Sequence, residues 1–180
     1  MKLLPEVFVS DEQGTYEIDV VKWQKLALGV LEAERVVPHA ELAVMFVEES
    51  VISELNRRFM GKVGPTDVLS FPIAEDEADS GRMPDNGSSG PDFTSPLVDQ
   101  PRVLLGDVVI CVSVADRNRV EHIGDRGHRG TLDDEIALLL VHGILHLRGL
   151  DHEEEAEAEI MEGKEDSYLK TYYFDRELHD

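Results

Sequence analysis

The chain has 180 residues, of which 42% are hydrophobic, and its formal net charge is −21 at neutral pH. Length and apolar content together favour one globular domain with a substantial core. No stretch approaches the roughly eighteen apolar residues of a membrane span, so we expect no membrane partner. The single cysteine excludes an internal disulfide, and the apolar run in MKLLPEVFV is too short for the core of a signal peptide. We therefore expect a cytoplasmic protein.

The first half of the chain predicts two strands, each followed by a helix. Residues 7–9 begin the first strand, and Asp19 can cap a helix whose apolar side chains repeat at helical spacing. The apolar run at residues 42–47 is short enough for a buried strand and precedes a brief helix that uses Ile52 and Leu55. The stripe of the first helix consists of Val20, Trp23, Ala27 and Val30.

The second half predicts two more strands and three helices. A strand at residues 68–73 contains Pro72, which cannot donate a ladder hydrogen bond, so this strand should lie or end at a sheet edge. Residues 104–112 form a central strand, and Ser113 can cap the helix that follows. Thr131 begins a longer helix, with Asp134 three residues later in a capping-box arrangement. The last helix is predicted at residues 153–169.

Residues 75–102 are rich in glycine, proline, serine and acidic side chains and contain little apolar material. A loop of this length is uncommon inside a compact domain and tends to be a lid or a disordered excursion. We predict a flexible insertion between two strands of a single domain that spans residues 1–180.

Three of the seven histidines lie between His142 and His152, in the segment HGILHLRGLDH. In a helix, His142 and His146 are about one turn apart and leave the same face, within reach of one cation. Gly149 can end this helix in the left-handed conformation and let the chain reverse, which brings His152 to the same ion. The spacing predicts a metal site with three imidazole ligands.

Three protein ligands leave at least one coordination position open, and on zinc that position usually holds a water acidic enough to react near neutral pH. This pattern favours a catalytic site. Two alternatives stay open: the histidines are separately satisfied by backbone or solvent, or a fourth ligand such as Asp151 or Cys111 closes a structural site. Closed zinc sites normally use more than one thiolate.

The same histidine spacing occurs in metzincin peptidases, whose HExxH helix carries a glutamate as general base. Here that position is Gly143. A glycine cannot take a proton, so peptide hydrolysis is disfavoured.

Three segments resemble signatures of the YbeY family of metal-dependent endoribonucleases, which mature bacterial ribosomal RNA. They are HGILHLRGLDH at residues 142–152, GPTDVLSFP at residues 64–72 and LLGDVVIC at residues 104–111. The first differs from the family pattern at Leu150, where a tyrosine is usual, and keeps all three histidines. The segments keep the family's order and spacing over most of the chain.

This resemblance implies cleavage of single-stranded RNA, maturation of the 3′ end of small-subunit ribosomal RNA, and ribosome quality control. It implies RNA, the small ribosomal subunit and its proteins as partners. Three imidazoles make one zinc ion the first choice, and nickel accepts the same ligands. Water and the RNA 2′-hydroxyl both remain candidate nucleophiles. A hydrolase of another substrate and a ribosome assembly factor with a structural metal are the alternative functions.

The resemblance also implies an arginine at the position of Met60, where this chain has none. We predict that Arg57, Arg58 and Lys62 bind RNA instead, and that Arg58 and Asp151 are candidate helpers in catalysis. Thr66, Asp67 and Ser70 are expected to shape the neighbouring pocket. Either Asp107 or Asp151 could orient a ligand histidine as a hydrogen-bond acceptor.

A net charge of −21 repels the phosphate backbone of RNA. The acidic residues are unevenly distributed, however, with nine at residues 151–166 and seven at residues 75–99. Basic residues cluster elsewhere. Such clusters are often only solvated surface, but the family resemblance favours a local basic channel beside the metal. The clusters are Arg57, Arg58 and Lys62; Arg117 and Arg119; and Arg126 and Arg129.

The predicted fold class is α+β. We expect a small mixed four-stranded sheet packed against about five helices, with the metal helix in the core.

Overall fold

The computed structural model describes residues 4–73 and 102–177. Its strands form one mixed sheet in the order β1-β2-β4-β3, in which β1, β2 and β4 are parallel and β3 is antiparallel to β4. The edge position expected for the strand that contains Pro72 is confirmed, because β3 pairs only with β4 within the described sheet. The strands are β1 Glu6–Asp11, β2 Ala40–Val47, β3 Val68–Pro72 and β4 Val103–Cys111.

Five helices of seven residues or more accompany the sheet in the described ranges, so the predicted α+β class and approximate helix number are confirmed. The second and fifth continue as π-helical turns, Asn56–Met60 and Lys170–Phe174, and a short helical turn, Asp175–Glu177, follows. The predicted insertion at residues 75–102 lies outside the described residues except for Arg102. The helices are α1 Val20–Ala33, α2 Glu49–Leu55, α3 Val112–Asn118, α4 Leu132–Leu147 and α5 Glu155–Leu169.

Two helix starts follow the predicted capping chemistry, and one does not. The Asp19 carboxylate accepts hydrogen bonds from the first-turn amides of α1, and Thr131 Oγ1 accepts the Asp134 N–H at 3.0 Å. The prediction that Ser113 caps α3 is wrong, because extended Cys111 leads directly into the helix and Ser113 lies inside its first turn. Its hydroxyl donates instead to Glu49 Oε1 at 2.8 Å.

The apolar core lies mainly on one face of the sheet, where α1 and α4 pack side by side. Side chains of α4 such as Ile136, Leu140 and Ile144 are fully buried there, so the helix that carries His142 lies in the core as predicted. A smaller apolar cluster covers the other face and includes Ile52 of α2 and Val114 of α3. No helix in the described ranges is both long and apolar enough to cross a membrane.

The first turn of α4 is held by the buried carboxylate of Asp134. The Arg129 guanidinium donates to it at 2.6 Å, the Arg129 N–H at 2.7 Å and the Tyr173 hydroxyl at 2.8 Å. Burial by itself would raise the pKa of Asp134, but these three donors outweigh it and hold that pKa well below its usual range. The carboxyl-terminal segment is thereby fastened to the start of α4.

Candidate metal centre

The carboxyl end of α4 and the turn after it bring His142, His146 and His152 together. Nε2 of His142 and Nε2 of His146 are 2.9 Å apart, and the His152 ring centroid lies 5.8 Å and 5.4 Å from the other two. One ring nitrogen from each residue falls within 4.8 Å of the others. The structure therefore places the three predicted ligands around a common point.

The chain reversal that brings His152 to the site depends on Gly149, as predicted. This residue has φ of +85°, its N–H donates to the His146 carbonyl at 3.0 Å, and the Leu150 N–H donates to the Leu145 carbonyl at 3.2 Å. The two hydrogen bonds form a Schellman motif, which ends a helix with a left-handed residue.

Glu165 of α5 holds the His142 ring. Its Oε1 accepts from His142 Nδ1 at 2.6 Å, and its side chain is 5% exposed. With its proton on Nδ1, His142 keeps a lone pair on Nε2, which is the nitrogen that faces His146. Asp107, one of the two acceptors predicted from the sequence, is not this partner, because it alternates with Val108 along β4 and so lies on the sheet face opposite α4.

Asp151, the other candidate acceptor, has a different arrangement. Its Oδ1 accepts the backbone N–H of His152 at 2.7 Å and lies 3.6 Å from His152 Nδ1. The carboxylate therefore shapes the turn that carries His152. Its part in catalysis stays a prediction.

The donor set suits a divalent metal ion. Burial lowers the pKa of His146, and the neighbouring His142 and His152 lower it further, which favours the neutral imidazole that a metal requires. Two nitrogens bound tetrahedrally to zinc are roughly 3.3 Å apart. The Nε2 atoms of His142 and His146 are 2.9 Å apart, so they need to move apart only slightly to bind one ion. Neither Asp151 nor buried Cys111 belongs to the donor group that the described residues form, which leaves a position for an incoming ligand.

A cleft of about 380 Å³ opens beside the histidines. His142 and His152 line it, together with His122 and Arg126 from the connection between α3 and α4. Its carboxylates outnumber its guanidinium group, so the cleft is electrostatically suited to a cation. The carboxylates belong to Asp67, Glu162 and Glu165.

Arg126 was noted in the sequence only as part of a basic cluster, and the structure places it in this cleft. Its Nε lies 3.3 Å from Glu165 Oε2 and 3.1 Å from Asp166 Oδ1, and its backbone is left-handed with φ of +48°. Arg126 thus partly neutralises the carboxylate that holds His142.

The predicted RNA-binding cations lie elsewhere. Arg57, Arg58 and Lys62 are exposed, and none of them lines the cleft. Arg57 donates to Glu54 at 2.6 Å, and the Arg58 guanidinium lies 5.4 Å from the Phe59 ring centroid. Their contact with RNA therefore stays a prediction.

The other two basic clusters do not form the expected channel. Each of their arginines has an acidic partner, which leaves little unbalanced positive charge at these positions. The pairs are Arg117 with Glu49, Arg119 with Asp116, Arg126 with Glu165 and Asp166, and Arg129 with Asp134 and Glu177.

Gly143 has a packing role. A Cβ at this position would lie 2.7 Å from Val108 Cγ1, so only glycine lets α4 approach β4 this closely. Ser70 of β3, which was expected to shape the pocket, donates its hydroxyl to the Gly143 carbonyl at 3.0 Å. Asp67 does line the cleft, as expected, and its Oδ1 accepts the Val68 N–H at 2.8 Å.

A family model described as Endoribonuclease YbeY matches residues 8–173. The chain belongs to the YbeY family. The resemblance drawn from the three sequence motifs is thereby confirmed.

The YbeY relatives cover most of the chain. Proteins named Endoribonuclease YbeY from Parafrankia sp. and Acidothermus cellulolyticus are 39% and 38% identical, over 92% and 96% of this chain and 93% and 94% of their own lengths. The relative from Frankia casuarinae is 43% identical over 82% of this chain, which spans 65% of that longer protein.

A solved structure supports the fold. The solution structure of TM1509 from Thermotoga maritima matches with a TM-score of 0.56 and 23% identity, over 96% of this chain and 93% of that one. At this identity the likeness speaks for the shared architecture alone.

Proposed function

We propose that this chain is a metal-dependent endoribonuclease that cleaves single-stranded RNA. The name of its YbeY relatives supports endonucleolytic cleavage of RNA. The observation that carries metal dependence is the convergence of three imidazoles at an open cleft, with the His142 ring fixed by Glu165.

His142, His146 and His152 would hold the metal ion. Zinc is our first choice because three neutral imidazoles with an open position suit it, and nickel accepts the same donors. When bound, such an ion supplies Lewis-acid chemistry to a phosphodiester. A divalent ion would also offset the negative charge of the carboxylates in the cleft, which would otherwise repel phosphate.

The chain's own residues position the RNA. Half-buried apolar side chains that line the cleft, Val68 and Leu138, provide a surface against which a base can pack. Exposed Arg57, Arg58 and Lys62 are proposed to contact the RNA backbone outside the cavity, which would make affinity depend on salt. Arg58 and Asp151 remain proposed helpers in catalysis.

The proposed biological role is maturation of the 3′ end of small-subunit ribosomal RNA and ribosome quality control in the cytoplasm. Its support is membership of the YbeY family and the three shared motifs. The small ribosomal subunit and its proteins are the proposed partners.

Replacing one ligand tests the proposal. His142→Ala should lose bound metal and cleavage of a labelled single-stranded RNA together, since two remaining imidazoles hold a divalent ion weakly. Metal content by elemental analysis and cleavage by gel assay are measured on the same samples. His39→Ala, which changes a histidine that does not line the cleft, is the matched control and should retain both.

Two results would contradict the proposal. Full cleavage by His142→Ala protein that is free of contaminating nuclease would show that the metal centre takes no part in the reaction. Hydrolysis of peptides but not RNA by the wild type would favour the alternative hydrolase function.

A further inference from the structure

A second cluster of ionisable side chains lies beside the metal ligands. His122, His128 and Glu135 place one donor atom each within 4.8 Å of one another. Glu135 is fully buried in the first turn of α4, His128 is 5% exposed, and the His122 side chain is 35% exposed. Since His122 also lines the cleft that contains His142 and His152, the cluster connects the protein interior to the candidate active site.

The hydrogen bonds of His128 argue against a second metal ion here. The Gly130 N–H donates to His128 Nδ1 at 2.9 Å, so this nitrogen carries no proton, and the proton on Nε2 points to Glu135 Oε2 at 2.9 Å. A metal bound at Nε2 would require the proton of His128 to be on Nδ1. That proton would then face the Gly130 N–H, and the two donors would repel each other. His128 is therefore a hydrogen-bond donor that holds Glu135.

Glu135 in turn fixes the proton of His122. Its two oxygens lie 2.9 Å and 3.2 Å from His122 Nδ1, and a carboxylate only accepts, so Nδ1 donates. The lone pair of His122 is then on Nε2. None of the described residues forms a hydrogen bond with that nitrogen, which leaves it available to a molecule in the cleft.

We propose that His122 is the proton-transfer residue of the cleft and that Glu135, held by His128, is its positioning residue. This inference rests on the proposed ribonuclease function. A buried carboxylate that accepts the Nδ1 proton of a cleft histidine is the arrangement that sets the tautomer of a general base in serine hydrolases.

On a phosphodiester, His122 would act first as a base and then as an acid. His122 Nε2 accepts the proton of the attacking hydroxyl, of water or of ribose, as that oxygen bonds to phosphorus. The bond between phosphorus and the leaving oxygen breaks, and the imidazolium returns the proton to that oxygen. Glu135 stabilises the imidazolium meanwhile.

A kinetic experiment on the full chain tests the catalytic role. His122→Gln keeps a side-chain N–H that can donate to Glu135 but has no basic nitrogen. We expect kcat to fall by about 100-fold or more while KM and metal content stay close to wild type. His39→Gln is the matched control, with unchanged kcat. A kcat for His122→Gln near that of the wild type would overturn the inference.

Two-dimensional NMR of the histidine side-chain nitrogens tests the positioning role without measuring activity. The wild type should show His122 protonated on Nδ1 at neutral pH. In Glu135→Gln the new amide can donate to Nδ1, so we expect the proton to move to Nε2. An Nε2-protonated His122 in the wild type would overturn the inference even if Glu135→Gln fails to fold.

The outcomes separate this inference from the proposed function. If His142→Ala abolishes cleavage and His122→Gln does not affect it, only the role of His122 is wrong. If metal-loaded wild type does not cleave single-stranded RNA, the proposed function fails and the inference fails with it.

Discussion

Gly143 illustrates how a single residue sets the distance between a helix and a sheet. Gly143→Ala would place a methyl group 2.7 Å from Val108 Cγ1, and we expect a loss of about 1–3 kcal/mol in the free energy of unfolding. Urea denaturation measures this. Gly163→Ala is the matched control in α5, where an added Cβ meets nothing within 4 Å. Helix propensity predicts a gain of about 0.5–1 kcal/mol there. Equal effects at both sites would contradict the packing role.

Glu165 gives a second prediction at this scale. Glu165→Gln weakens the acceptor of the His142 Nδ1 proton, and we expect metal affinity to fall by about 10–100-fold. Competition with a chelator of known affinity measures the change. Glu162→Gln is the control, because Glu162 also lines the cleft near Arg126 but forms no hydrogen bond with a ligand histidine. A similar loss in both variants would indicate a general charge effect.

The three histidines could be found from the sequence because they lie in one segment, and helical spacing alone brings two of them together. Glu165 could not, since it is one of nine acidic residues at positions 151–166 and only the packing of α5 against α4 selects it. Similarly, His122 and Glu135 meet through the connection between α3 and α4, whose path no periodicity describes. Residues that meet only through tertiary packing have no spacing pattern in the sequence that would identify them.

At the scale of elements, the end of α4 controls the position of His152. Gly149 has φ of +85°, so Gly149→Ala should cost about 1–2 kcal/mol and disturb the turn that carries the third ligand. We expect lower stability and weaker metal binding together, by urea denaturation and metal titration. Gly14→Ala is the control, at a glycine with ordinary φ and no neighbour within 4 Å of an added Cβ, and it should change neither. Unchanged metal affinity in Gly149→Ala would show that the turn tolerates another cap.

Most elements were predictable because their local signals agree with their tertiary environment. Trp23, Ala27 and Val30 of the predicted α1 stripe are buried and Val20 is half-buried. β3 lies at the edge that Pro72 allows, and Thr131 caps α4. The prediction that Ser113 caps α3 was wrong because the helix begins directly after β4, at Val112, so Ser113 already lies inside it. Capping preferences do not describe a strand that continues into a helix without a loop. The order of strands in the sheet comes from packing and was not predicted.

At the scale of the whole molecule, the core forms without the metal ligands. None of the three histidines is fully buried, since His142 and His146 are half-buried and His152 is exposed, whereas the apolar side chains that join α1, α4 and the sheet are buried. We expect chelator-treated protein to keep its far-ultraviolet circular dichroism and to unfold cooperatively at a lower Tm, because a bound ion stabilises only the folded state. RNA cleavage should be lost.

The control for chelation is the His142→Ala variant, whose Tm should not change when chelator is added. Loss of cooperative unfolding in chelated wild type would instead favour a structural ion and the assembly-factor alternative.

The carboxyl-terminal segment holds both ends of α4, through Tyr173 at Asp134 and Glu165 at His142. Proteins are synthesised from the amino terminus, so α4 emerges from the ribosome before either of these groups. A nascent chain can therefore assemble its sheet early but cannot orient His142 until α5 has emerged and packed against α4. A ribonuclease proposed to act on ribosomal RNA would thus acquire its competent centre only after its sheet has formed.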